Sequence, residues 1–211
     1  MLKLKQILLI STTLLIMSGC ATKEVVQQPL TQRTVPVVPI VTPIVKPESH
    51  TFAGETLTAT PKVSALVKQI KALSSNSAYI DLNANQNVEV GNFLNISATP
   101  NLNGYLKLII IDPNGERKLV LPNGIHNGYL QANQRFYTNN NQFALKTTKP
   151  TGLHYVVVVF SEQNARMIMQ QGTNGYNAIN NDHDLFSLLQ SIKHQNYGKS
   201  HISIFPMRIY Q

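Results

Sequence analysis

Leu153 to Phe160, with valine at each of positions 156–159, places the strongest limit on what this chain can fold into. β-Branched side chains are stiff in helices and pack well on a pleated surface. Preceded by Lys149-Pro150-Thr151-Gly152, the run is too short for a stable helix and too apolar for a half-exposed strand. It therefore predicts a central β-strand buried on both faces.

The neighbouring segments supply partners for it. Tyr105 to Asp112 is a second apolar run, stopped by Asp112-Pro113-Asn114-Gly115, in which each residue suits its place in a β-turn. Arg117 to Leu121 returns as the hairpin partner, and Pro122-Asn123-Gly124 ends it. Upstream, from Tyr79, the apolar period is two: Val88 and Val90, then Leu94, Ile96 and Ala98, with Gly91-Asn92 as a break or bulge between them. Short strands are expected around Gln134 to Tyr137 and Gln142 to Lys146, and a last strand from His201 to Tyr210, where Pro206 marks an edge or bulge. Two helices frame these strands. Thr60-Pro61 reads as an N-cap followed by proline in the first helical position, ahead of Val63, Leu66, Val67, Ile70 and Leu73 at helical spacing. Asp182 to Ser191 follows the same period through Leu185, Leu188 and Leu189, with Asp182 as its cap. The expected fold is mainly β, an antiparallel β-sandwich with one or two peripheral α-helices.

The N-terminus is of another kind. Lys3 and Lys5 precede an apolar stretch from Ile7 to Met17, about ten residues long, which suits a signal-peptide core better than a membrane span. It ends in Ser18-Gly19-Cys20, and the whole resembles the lipobox of bacterial lipoproteins, with Met17 where leucine is usual. Small residues before a cysteine let a peptidase approach the backbone, and the thiol offers sulfur for lipid transfer. The alternative for Cys20 is a chance thiol beside an ordinary cleavage site. With acyl chains on Cys20, each buried methylene contributes about 0.8 kcal/mol to membrane attachment. Ala21 stands where aspartate would retain a Gram-negative lipoprotein at the inner membrane, so the resemblance implies the outer membrane. From Ala21 to His50, Pro29, Pro36, Pro39, Pro43 and Pro47 favour an extended spacer, at about 3.1 Å per residue. The Val-Ile pairs within it leave open that part packs on the domain as an edge. The organisation expected is a signal peptide over 1–19, a lipidated cysteine and tether over 20–50, a helical lead-in over 51–78 and a sandwich domain over 79–211.

Composition excludes several functions. Cys20 is the only cysteine, so neither an intrachain disulfide nor a thiolate zinc site is available. Of the 18 basic residues, loss of Lys3 and Lys5 leaves 16 against 10 acidic ones, an excess of six spread thinly along the chain. No basic block or aromatic-interleaved stripe points to nucleic acid, whereas a mild positive balance suits an anionic membrane or polyanionic envelope polymer. Asp182-His183-Asp184 invites a metal, but adjacent helical residues point about 100° apart, and carboxylates at a helix start are explained by the exposed amides there. His154 and Ser161 lie too far apart along a strand for a dyad, and Ser161 lacks the flanking glycines of a nucleophile elbow. Gly172-Thr173-Asn174-Gly175 lacks the lysine of a phosphate loop. His126, His194 and His201 are isolated imidazoles. No catalytic residue, metal or cofactor is expected.

One order of motifs is more specific than its parts. Val90-Gly91-Asn92-Phe93-Leu94, Gly104-Tyr105-Leu106, Asp112-Pro113-Asn114-Gly115, Leu121-Pro122-Asn123 and Pro150-Thr151-Gly152-Leu153 ahead of Val158-Val159-Phe160-Ser161 resemble domain-of-unknown-function family 4384, over roughly 79–210. The chain departs from it in the Asn139 to Asn141 loop, where proline and a more acidic or aromatic stretch would be expected. The resemblance implies a small β-sandwich in an envelope setting and carries over no catalytic residue. Tyr105, Pro122 and Asn123 become the candidate ligand or partner surface, with a structural turn as the alternative for Pro122-Asn123. The function expected is a non-enzymatic binding or assembly module held in the envelope, contacting a protein first and peptidoglycan or another glycan second. A polymer hydrolase and a structural spacer are the competing readings.

Overall fold

The computed structural model describes residues 46–140, 143–165, 177–179 and 182–211. The signal segment, Cys20, most of the proline-rich tether, Asn141, Gln142 and the 172–175 glycine pair lie outside the described residues.

The predicted central strand is β11 (Gly152–Ser161), and every residue from Leu153 onward is buried. It pairs antiparallel with β7 (Gly104–Ile111) on one side and with β13 (Ser200–Tyr210) on the other. β8 (Arg117–Leu121) pairs with β7 through the predicted turn. There Asp112 Oδ1 accepts from the amides of Asn114 and Glu116 at 2.9 and 2.8 Å, and Gly115 takes φ 85°. The ladder slips between Leu108 and Ile109, so Val120 is the extra residue of a bulge. As a result Val120 and Leu121 both enter one side of the sheet while Leu119 enters the other. β9 (Tyr129–Leu130), β12 (Asn177–Ala178), β3 (Ser75–Asn76) and β5 (Asn87–Glu89) complete an eight-stranded sheet, β5 being a parallel addition. β3 and β5 cover only the two ends of β13, and Pro206 sits on the uncovered stretch between them, where its missing amide proton costs nothing.

Alternation along β11 divides the interior in two. Leu153, Tyr155, Val157 and Val159 face one core with the buried stripes of α1 (Pro61–Ala72) and α2 (Asp182–Lys193). Val156, Val158 and Phe160 face a second core, closed by a smaller sheet of β10 (Phe136–Tyr137), β6 (Ile96–Pro100) and β4 (Ile80–Ala84). The architecture is a mainly β antiparallel sandwich, and its two helices pack in one outer layer. α1 begins as its sequence predicts: the Thr60 hydroxyl accepts from the Val63 amide at 3.3 Å, and Pro61 needs no partner at the first position.

Three expectations change. Residues 49–58 form a hairpin, β1 (Ser49–Phe52) and β2 (Glu55–Thr58), so strand begins at the end of the stretch assigned to the tether and occupies the first part of the lead-in, before α1. Ala53 and Gly54 take φ 46° and 86°, the two-residue turn that suits strand twist, and Phe52 drops into the helix-side core. Of the strand expected over Gln142 to Lys146, the described residues 143–146 show two isolated bridges, Phe93 to Lys146 and Asn139 to Ala144. Asp182, expected as the cap, stands within the first turn of α2, and its carboxylate pairs with Arg117 of β8.

Candidate binding surfaces

The outer face of the small sheet follows directly from its register. Ile80, Ile96, Ala98 and Phe136 turn inward, so their alternate neighbours turn out. Asn83 pairs with Ser97, and Ser97 with Tyr137, which sets an amide, a hydroxyl and a phenol side by side across three strands. Tyr137 is 44% exposed, and the Arg135 guanidinium lies over its ring at 4.9 Å. Arg135 Nη2 also donates to Ser97 Oγ at 3.4 Å, tying the stacked pair to the middle strand. Asn85, Asn95 and Asn139 extend this row into a shallow groove of about 370 Å³. Beneath it Thr138 is fully buried; its hydroxyl accepts from the Ile96 amide at 2.8 Å and donates to the Leu94 carbonyl. That bond fixes the strand end that presents Tyr137.

The residues singled out in the sequence have separate places. Tyr105 is half-buried at the start of β7, edge-on to Tyr129 with ring centroids 5.3 Å apart. Gly104 before it admits no side chain, since a Cβ would stand 2.5 Å from the Phe160 ring. Asn123 is occupied within its own loop: Oδ1 accepts from the Ile125 and His126 amides at 2.9 Å, and Nδ2 donates to the Val120 carbonyl at 3.2 Å. Pro122, joined to Leu121 by a cis bond, is half-buried beside it. This geometry explains Asn123 as a turn former.

His154 and Ser161 sit at opposite ends of β11 and, seven positions apart, on opposite faces. Ser161 Oγ donates to the Gln163 carbonyl at 2.8 Å. His154 Nδ1 meets the Gly152 carbonyl at 3.1 Å and must carry the proton there, which leaves Nε2 as the ring's acceptor. Burial lowers the His154 pKa, and that of His126, whose ring stacks edge-on against Phe136 at 5.3 Å. His201 Nε2 lies 2.9 Å from Ser203 Oγ, and His194 is exposed. His183 is exposed, 3.6 Å from Asp184, and among the described residues no three His, Cys, Asp or Glu side chains gather as a metal-ligand set.

Sequence reasoning passed over two features. Lys107 is almost wholly buried on the helix side of β7, its Nζ 3.5 Å from Asn164 Oδ1, and desolvation pulls its pKa down to about 8. Its position inside the Tyr105 to Asp112 run was the available signal. The Arg135-Tyr137 pair lies in a polar stretch, and only the register of three strands assembles it with Asn83 and Ser97.

A small β-sandwich module is thus the class that the fold defines. Within it, residues 87–164 match a family model described as Domain of unknown function (DUF4384), which bears out the resemblance over the hairpin, the small-sheet strands β6 and β10, and the central strand. No curated protein and no solved structure matches the chain.

Proposed function

We propose that this is an envelope lipoprotein without enzymatic activity, anchored through Cys20 in the outer membrane and facing the periplasm, whose small sheet binds a glycan of the envelope. The observation that carries the reading is the Asn83–Ser97–Tyr137 row with Arg135 stacked on the tyrosine. The fully buried core of a protein interface is more apolar than the rest of the surface and is depleted of serine and of charged residues other than arginine. This face instead offers amides, hydroxyls, one guanidinium and one aromatic plane. Such a set matches hydroxyl- and N-acetyl-bearing sugars, whose ring faces are apolar and whose edges donate and accept hydrogen bonds. The polar character of the face moves a glycan, peptidoglycan first, ahead of the protein partner favoured by sequence. A positive excess of six on the chain without Lys3 and Lys5 also favours a polyanionic polymer.

Co-sedimentation with purified peptidoglycan sacculi tests the binding. The native chain should pellet with sacculi, and Arg135→Ala combined with Tyr137→Ala should weaken retention by about tenfold or more, as loss of an aromatic-arginine hot spot does. Equal pelleting of both, or a native chain left in the supernatant, rejects the reading. The anchor is tested separately by detergent phase partitioning: the native chain should enter the detergent phase and Cys20→Ser should not.

A further inference from the structure

A second site lies at the other end of the small-sheet core, on residues the glycan face does not use. Between the sheet and the 145–150 segment there is a cavity of about 130 Å³. Its floor is apolar, made by Leu94, Ile110, Val120, Leu145, Met207 and Ile209. Its lining also includes three lysines, Lys118, Lys146 and Lys149, all on exposed positions. Asp112, the one carboxylate among the described lining residues, is buried and already accepts two backbone amides of the β7–β8 turn through Oδ1. Three lysines and one engaged carboxylate give this lining a net positive charge beside its apolar floor.

We propose that this cavity binds a small anionic amphiphile, with its apolar body on the Ile110–Val120–Leu145 floor and its carboxylate or phosphate head among Lys118, Lys146 and Lys149. Size sets the body: an apolar cavity of roughly 150 Å³ holds one benzene, so a chain of about six carbons is the scale that fits. Charge sets the head. Lysine serves here as a point charge, which places no demand on planar geometry and accepts either anion. A cation would meet three like charges, and a neutral amphiphile would leave them without a counter-charge. His154 lines the same space with Nδ1 held by the Gly152 carbonyl, so its Nε2 can take a proton or a hydrogen bond from a head group that carries one.

The test uses the mature chain with Cys20→Ser, so that its own acyl groups and detergent do not compete, and follows backbone amide shifts by NMR. The probes are hexanoate, hexyl phosphate, hexanol and inorganic phosphate. Saturable shifts at Ile110, Val120, Leu145 and Ile209 with hexanoate, hexyl phosphate or both support the proposal, and which head binds identifies the source. Lys146→Glu combined with Lys149→Glu should weaken that binding by about tenfold or more while leaving the melting temperature unchanged. Hexanol binding as well as the charged probes, inorganic phosphate reproducing the full shift pattern, no saturable shift with any probe, or an unaffected double variant would each overturn it.

Discussion

The two faces of the central sheet are covered in different ways. On one side α1, α2 and the β1–β2 hairpin lay a continuous aliphatic layer over Tyr155, Val157 and Val159. On the other, three short strands and an irregular segment cover Val156, Val158 and Phe160, leaving a lysine-lined cavity at one end and a polar outer face above. The same strand, by alternation alone, feeds a layer that chiefly encloses and a layer that also presents. Polar chemistry sits accordingly: on the helix side Lys107 and Tyr155 are enclosed, whereas on the small-sheet side Arg135, Tyr137 and the three lysines face solvent.

That contrast breaks most visibly at Phe160, fully buried under the small sheet. Phe160→Ala should lower stability by about 4 kcal/mol in urea denaturation. A loss under about 1 kcal/mol would mean that this side is no true packed layer.

Lys107 gives the next largest effect, in the opposite direction. Its folded pKa of about 8 lies below the unfolded value of 10.5, so below pH 8 the folded state bears the whole cost of a buried charge. Wild-type stability should rise between pH 8 and 10.5, where the unfolded chain binds the extra proton. Lys107→Met should therefore add about 3 kcal/mol at pH 7, with the gain fading through that window. A pH-independent gain would show packing, not desolvation, at work.

Tyr155 sharpens the comparison on a smaller scale. Among the described residues its buried hydroxyl has no hydrogen-bond partner, and desolvation first, then the charge of Glu48, pushes its pKa up to about 12. Tyr155→Phe should gain about 1 kcal/mol, because an unsatisfied buried hydroxyl is a cost. A loss of stability in thermal melts would reveal a bridging partner there. Smallest of all, Arg135→Ala should change stability by less than about 0.5 kcal/mol, as exposed positions do, while sacculus retention drops.

The sequence was most legible where the signal was local. Four valines in a row, the Asp112 to Gly115 turn and Thr60-Pro61 each specify their element within about ten residues, and β11, the β7–β8 hairpin and α1 stand where those signals put them. The β1–β2 hairpin was hidden because Ser49, Thr51, Thr56 and Thr58 give little apolar alternation, and Phe52 is the one apolar residue of β1. Both proposed sites were illegible for another reason. The Asn83–Ser97–Tyr137 row joins three strands, and the cavity joins Leu94 to Ile209, so neither exists as a pattern until register and layering are known. Asn123 shows the reverse case, in which a motif noticed in sequence is explained by the loop it closes.

An amide-resolved NMR titration of the Cys20→Ser chain with soluble peptidoglycan glycan fragments tests the central claim most directly. Recognition by the small sheet predicts saturable shifts at Asn83, Ser97, Arg135 and Tyr137, with the α1 and α2 amides silent. Shifts centred on the helices, or none at saturating fragment, would contradict it.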